Sequence, residues 1–287
     1  MFPSRGISAL LLASLSFGSS ALFIRFATEV SPLALTFFRL SIAASGMVLL
    51  GLWRGNLKIL KKRDLILVMV SGIFLSIHFA TFILAVKETT VANATFLVNT
   101  SPVMLAVLSP IIIKERTTSR EGLSVIVAML GVFLIANAGN GFRSFGFADI
   151  SALMAAFFVA VYSLVGRYLR ASGVSTACYT SYVYSVATIL SLVLAEVIGA
   201  HTVRAYDPAN ILAILGLAIV PTMLGHSLYN YSLSLVKAVS ANLFPLLEPV
   251  IASLLAVPLF NEVPSLTQIS GYSLILVAVA IVVTGFR

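Results

Sequence analysis

Polar residues are scarce along this chain, and they fall mostly between long apolar stretches. Apolar runs of about twenty residues recur from end to end, at roughly 7–26, 33–53, 65–86, 92–113, 123–139, 147–169, 176–199, 211–232, 240–260 and 270–286. Each is long enough to cross a hydrocarbon layer about 30 Å thick as a helix. The pattern predicts an all-α membrane protein with ten transmembrane helices. Ten such helices use about 200 residues of the 287 in the chain. Only short loops remain, so any site must lie among the helices. The first run follows a basic start at Arg5, as a signal peptide would. It is longer than a usual signal core, and its polar stretch Phe17-Gly18-Ser19-Ser20 suits a functional helix better.

The same pattern is written twice. Ala94–Pro102 reads ATFLVNTSP and precedes Lys114-Glu115-Arg116; Ala241–Pro249 reads ANLFPLLEP and precedes Asn261-Glu262-Val263. Pro-to-Glu separation is 13 residues in both copies (115 − 102 and 262 − 249), and the copies are offset by 147 (249 − 102). This divides the chain into two five-helix repeats, 1–140 and 141–287. Five is odd, so the second repeat must enter from the opposite side of the membrane, giving two inverted repeats. Two similar halves of opposite orientation can exchange conformations, which places a substrate site near the midplane between them. Under the offset, His78 and His226 fall one position apart and Phe82 meets Tyr229. The first and sixth runs match more loosely, at an offset of about 145, which sets Phe17 against Tyr162 and Arg25 against Arg170.

Composition agrees with the pattern. Hydrophobic residues make up 60% of the chain, charged residues 10%, and the mean hydropathy is +1.07; soluble domains carry about 25% charge. The net charge of +8 does not point to nucleic acid, because the basic residues are sorted by side. With the N-terminus in the cytoplasm, the inner segments hold thirteen: Arg5, Arg54, Lys58, Lys61, Lys62, Arg63, Lys114, Arg116, Arg120, Arg167, Arg170, Lys237 and Arg287. The outer loops hold four, Arg25, Lys87, Arg143 and Arg204, and Arg39 lies inside a helix. This bias predicts both termini inside, with the cluster at 54–63 near anionic lipid. A single cysteine, Cys178, excludes an internal disulfide and a multi-thiolate metal site, and reads as a small buried residue.

Glu248 is the acid placed well inside an apolar run. A charge at a helix centre costs about 2.5–3.5 kcal/mol on insertion scales, so such residues usually face a bundle interior and serve function. It could contact substrate or take up a proton in a coupling cycle; the structural alternative is that it satisfies backbone freed by Pro249. Arg39 is its opposite, able to pair with Glu248, grip a substrate carboxylate through two hydrogen bonds, or snorkel outward. His78 with Thr81 and Phe82, and His226 with Tyr229 and Asn230, each stand at i, i+3 and i+4 on one helix face. Together with Asn99, Tyr162 and Phe244 they are the candidate lining of a polar, partly aromatic cavity; hydrogen bonding to a neighbouring helix is the plainer role for each histidine. Pro102, Pro110, Pro221, Pro245, Pro249 and Pro258 lie within runs and are expected to kink their helices. Pro102 and Pro249 form a matched pair of breaks, and with Arg39 and Phe17 they are candidates for gating or structure. Ala152, Ala156 and Ala160, like Ala9 and Ala13, offer small faces for close packing. Glu115 and Glu262 read as anchors at opposite membrane surfaces.

Taken in order, Phe17-Gly18-Ser19-Ser20, Pro32 with Arg39, Asn93-Ala94 to Ser101-Pro102 with Glu115-Arg116 and Gly122, and Leu247-Glu248-Pro249 with Glu262 and Gly271 resemble the drug/metabolite transporter superfamily, of the bacterial EamA type, over the whole chain. The family usually has Trp where Phe17 stands, and Val263 follows Glu262 where the family has a Glu-Arg pair. The resemblance implies a ten-helix carrier, often an exporter of amino acids or related metabolites. The expected function is a secondary transporter moving small amphipathic metabolites by alternating access, with amino-acid export the leading reading. Efflux of drugs or cationic compounds, or transport of a purine or carboxylate, is the alternative. No G-x-x-x-x-G-K-[ST], H-E-x-x-H or G-x-S-x-G occurs, so neither direct use of ATP nor an enzyme is expected, and no cofactor, metal or nucleic acid. A channel or scaffold would not need matched halves with broken helices. The expected partners are a small-molecule substrate, the lipid bilayer and candidate protons. A monomer suffices, multi-pass in the inner (plasma) membrane with both termini cytoplasmic.

Overall fold

A backbone crossing lipid must satisfy its own N–H and C=O groups, which leaves helices or a closed barrel. The computed structural model, which describes residues 4–138, 146–200, 207–260 and 264–284, is helical and has no strand among those residues. Its ten spans are α1 (Ser4–Phe26), α2 (Pro32–Trp53), α3 (Lys62–Glu88), α4 (Asn93–Ile112), α5 (Ser119–Asn137), α6 (Phe147–Ala171), α7 (Thr176–Val197), α8 (Pro208–Ser232), α9 (Ala238–Leu255) and α10 (Leu266–Thr284). Each predicted run overlaps one helix. Several helices start earlier than hydropathy indicates, because their first turns are polar. Thr118 and Glu121 form a reciprocal capping box at α5, and Asp207 accepts the Asn210 N–H at 2.7 Å at α8. Such caps are worth about 1 kcal/mol each. Donation from that Asn210 N–H holds the Asp207 carboxyl below the usual carboxylate range.

Four spans are interrupted. α1 breaks at Gly18-Ser19, between helical segments Ser4–Phe17 and Ser20–Phe26. Gly18 is required there by proximity, since a Cβ would stand 2.4 Å from the Ile251 side chain of α9. α4 breaks at Asn99-Thr100, α8 passes through a π-helical segment from Ala218 to His226, and α9 breaks between Asn242 and Glu248. The prolines do more than kink. Pro102 and Pro249 each sit in the first turn of a restarted half-helix, where a missing N–H does no harm. Pro110 is carried inside the continuous segment Ser101–Ile112 and Pro258 inside Glu248–Phe260. Glu262, with Asn261, Val263, Arg143, Arg204 and Arg287, lies outside the described residues.

The halves pack chiefly on each other. α2 lies against α7 and α5 against α10; α3 lies against α6, and α1 against α8; α3 meets α7, and α2 meets α8. Every one of these contacts returns a contact of the same set when the first five helices are exchanged with the last five. The α5–α10 seam is close because Gly131 and Gly271 face each other; a Cβ on either would meet the other's carbonyl oxygen at 2.6–2.7 Å. Ala152, Ala156 and Ala160 are fully buried on α6, and Cys178 is a buried free thiol. Arg167 and Arg170, counted among the inner charges, stand in the last turns of α6. Arg170 is buried and donates through Nε to the Asn230 carbonyl at 3.1 Å.

Candidate substrate cavity

The breaks in α1, α4 and α9 and the π segment of α8 converge on one cavity, lined from both halves of the chain. Its wall is formed by Phe17 and Ser20 of α1, Arg39 of α2, His78, Phe79 and Phe82 of α3, and Val98, Asn99 and Ser101 of α4. The second half adds Val159 of α6, His226 and Tyr229 of α8, and Asn242, Pro245 and Glu248 of α9.

Rings make up much of the surface. The His226 ring stands edge-on to Phe17 and to Phe79, with centroids 4.9 Å away in both cases. His78 lies parallel to Phe82 at 6.1 Å. His78 Nδ1 is 2.8 Å from the Ala155 carbonyl oxygen. A carbonyl can only accept, so the neutral ring carries its proton on Nδ1 and keeps Nε2 as an acceptor.

Arg39 is 1% exposed, which excludes outward snorkelling. Its place follows from Pro221. That residue has no N–H for the carbonyl four residues back, Leu217, and the Thr222 hydroxyl donates to that carbonyl at 2.7 Å. The Thr222 oxygen then accepts from Arg39 Nε at 2.9 Å, while the guanidinium carbon lies 3.6 Å over the Phe79 ring. No ion pair joins Arg39 to Glu248 among the described residues. Glu248 opens the second half of α9 and is buried, with Oε1 lacking any hydrogen-bond partner. Arg39 Nη1, Asn99 Nδ2 and His226 Nδ1 are also buried without partners. Buried polar atoms are normally satisfied, and four exceptions here come from residues lining one cavity.

A hydrogen-bond chain runs along one wall. Ser101 donates to Asn242 Oδ1 at 2.6 Å, Asn242 Nδ2 to Tyr229 Oη at 3.1 Å, and Tyr229 Oη to Ser163 Oγ at 2.9 Å. It ties the break of α4 to the break of α9. On the side where α1 begins, Glu115 meets Arg167 at 3.0 Å and accepts the Ala238 N–H that opens α9, at 3.1 Å. Lys237 reaches Glu121 at 3.5 Å, and Ser240 donates to Glu121 at 2.6 Å. These contacts join the α4–α5 connection to α6 and to the start of α9.

Of the residues read as cavity lining from sequence, His78, Phe82, Asn99, His226, Tyr229 and Glu248 reach the cavity, as do Arg39 and Phe17. Tyr162, Asn230 and Phe244 do not. Asn230 turns back along its own helix to the His226 carbonyl at 2.6 Å and also bonds the Tyr162 hydroxyl, and both are fully buried behind the wall. Phe244 is fully buried in the core, its carbonyl accepting from Ser14. Phe79 was not anticipated, because the face drawn through His78 and Phe82 leaves it aside. Asn242 was missed as well, although it sits one residue into the repeated ANLFPLLEP motif.

Ten apolar spans packed around a central cavity define a multi-pass membrane protein. The chain belongs to the EamA-like transporter family, which it matches over residues 4–137 and again over 146–284. It is similar to an "Uncharacterized transporter" of Archaeoglobus fulgidus, 26% identical over 271 residues that cover 91% of this chain and 92% of that protein. It is also similar to the "Uncharacterized transporter YdfC" of Bacillus subtilis, 27% identical over 244 residues, 84% of this chain and 78% of that one. A solved structure described as "Crystal structure of protein" has the same fold, with a TM-score of 0.81 at 19% identity, covering 98% of this chain and 96% of the other.

Proposed function

We propose that this chain is a secondary transporter that moves small amphipathic metabolites, amino acids foremost, by alternating access between two inverted five-helix repeats. The observation that carries the reading is the cavity itself, lined from both halves and holding unpartnered donors and acceptors beside aromatic faces. An inverted duplication is supported by the two family matches and by the contact pattern, in which exchange of the halves returns the same pairs. Access changes when one half rocks against the other around a fixed site. Opening toward the side where α1 begins then requires breaking the Glu115–Arg167 pair and the Glu121 contacts to Lys237 and Ser240. A single chain supplies both halves, so a monomer suffices. The charge bias supports an inner-membrane location with cytoplasmic termini.

The test is counterflow of labelled amino acids into proteoliposomes at two pH values without a gradient. Saturable exchange of one group, competed by its analogues, is expected. No exchange across the whole panel moves the function to the alternative, efflux of organic cations, which the aromatic wall and Glu248 favour and Arg39 opposes. Glu248 is the proposed proton carrier, facing Arg39 of α2, His78 of α3 and both His226 and Tyr229 of α8 across the cavity. Glu248→Gln then abolishes transport driven by a pH gradient and weakens equal-pH counterflow without abolishing it; unchanged pH-driven transport would remove the proton from the cycle.

A further inference from the structure

The cavity keeps a cation and an anion apart. Arg39 is fixed along one edge by Thr222 Oγ1 and across one face by the Phe79 ring, and its Nη1 is left buried without a partner. A guanidinium held in this way offers its remaining edge, and that fork matches the two oxygens of a carboxylate. Glu248 is placed differently. It begins a half-helix, its Oε1 is buried and unpartnered, and no basic side chain among the described residues is within ion-pair distance. Two opposite charges in one apolar enclosure would gain by meeting, because unpaired buried charge is expensive. Here Arg39, held between α2 and α8, and Glu248, at the start of the second half of α9, stand apart. A ligand that carries both signs completes the two at once.

We propose that Arg39 binds the carboxylate of the transported solute and Glu248 its cationic amine, so that the cavity selects molecules bearing both groups. This rests on the transporter reading and narrows it by naming which residue reads which group. An amine without a carboxylate leaves Arg39 Nη1 unsatisfied and faces a repelling charge. A carboxylic acid without an amine meets Glu248 in the same way. Thr222 is a positioning residue, acting on the carboxylate only through Arg39.

The experiment is counterflow of a labelled amino acid, competed by three unlabelled compounds of one carbon skeleton: the amino acid, the amine lacking the carboxylate, and the acid lacking the amine. Wild type should prefer the amino acid over either by about tenfold or more, the scale of one charge-assisted contact. Arg39→Met should weaken competition by the amino acid and the acid by about tenfold and leave the amine within about twofold. Arg39→Lys should fall between, since it restores the charge but not the fork. Glu248→Gln should give the mirror image, and Thr222→Val a smaller loss confined to the two carboxylates. A variant that no longer exchanges is read by thermal shift of the purified protein with the same three compounds. Equal loss for all three in Arg39→Met, in protein that still elutes as one species, makes Arg39 a scaffold and overturns the assignment. Amino-acid exchange in wild type with discrimination unchanged in the variants overturns the assignment alone. Wild type that exchanges amines but no amino acid overturns the assignment and the amino-acid reading together.

Discussion

α3 and α8 bring matching rings to the cavity, His78 with Phe82 and His226 with Tyr229, and hold them in opposite ways. α3 runs unbroken from Lys62 to Glu88, and its histidine is fixed by the Ala155 carbonyl and by the parallel Phe82 ring. α8 passes through a nine-residue π segment that ends on His226, whose Nδ1 has no partner and whose ring is held by the edges of Phe17 and Phe79. The origin of the difference is Pro221, which has no counterpart in α3. A proline cannot continue the α-helical ladder, and π turns recur where a helix serves a site. One copy presents a histidine fixed by a hydrogen bond, the other a histidine held by ring contacts. The one-position slip of His226 against the repeat offset falls at the end of this segment, where helical register departs from α.

The largest effect should come from truncating the two histidines in turn. His226→Ala removes a ring that faces the solute and breaks no hydrogen bond on its Nδ1, so transport should fall by about tenfold or more with limited loss of stability. His78→Ala leaves a similar void and also deprives the Ala155 carbonyl of its donor. It should therefore unfold more readily than His226→Ala by about 1–2 kcal/mol. Counterflow rates and melting temperatures of the two variants decide the matter. If both lose the same activity and the same stability, the different settings of the two histidines have no consequence for transport or folding.

Pro221→Ala comes next. Restoring an N–H at that position gives the Leu217 carbonyl an α-type donor and frees the Thr222 hydroxyl from it. The π segment should relax toward α geometry, raising the melting temperature. His226 turns away from Phe79, and Thr222 away from Arg39. Transport should fall by a few-fold, about 1 kcal/mol in rate terms. A variant with wild-type rates would show that the π segment is not part of the cycle.

How far the sequence carried this picture depended on what kind of signal each feature leaves. Runs of twenty apolar residues identify ten spans because lipid sets both length and composition. The histidine pair and the broken helices were legible because the duplication marks them twice. Phe79 was not, since a buried Phe in an apolar helix looks like any packing residue until Arg39 lies across it. Asn230 was misread for a physical reason: four residues beyond His226 in an ideal α-helix share its face, but here the side chain folds back to the His226 carbonyl. Tyr162 and Phe244 were assigned to the cavity through residues they match or adjoin, and pairwise correspondence between copies does not preserve facing once one copy carries a π segment. The caps that start α5 and α8 were invisible to hydropathy, because their residues are polar and lie outside the runs.

Tyr229→Phe makes the smallest change and the sharpest one, because it gives α8 the same ring that α3 presents at Phe82. The hydroxyl it removes receives Asn242 Nδ2 and donates to Ser163, so both groups lose a partner in a chain that joins the breaks of α4 and α9. Stability should drop by about 1 kcal/mol, the net worth of an ordinary hydrogen bond. Transport should change by no more than about twofold, since the ring itself remains in the wall. A much larger loss of rate with stability intact would mean that the chain Ser101–Asn242–Tyr229–Ser163 does more than join the two breaks: it would make the coupling of α4 to α9, rather than the asymmetry of α3 and α8, the element that governs the cycle.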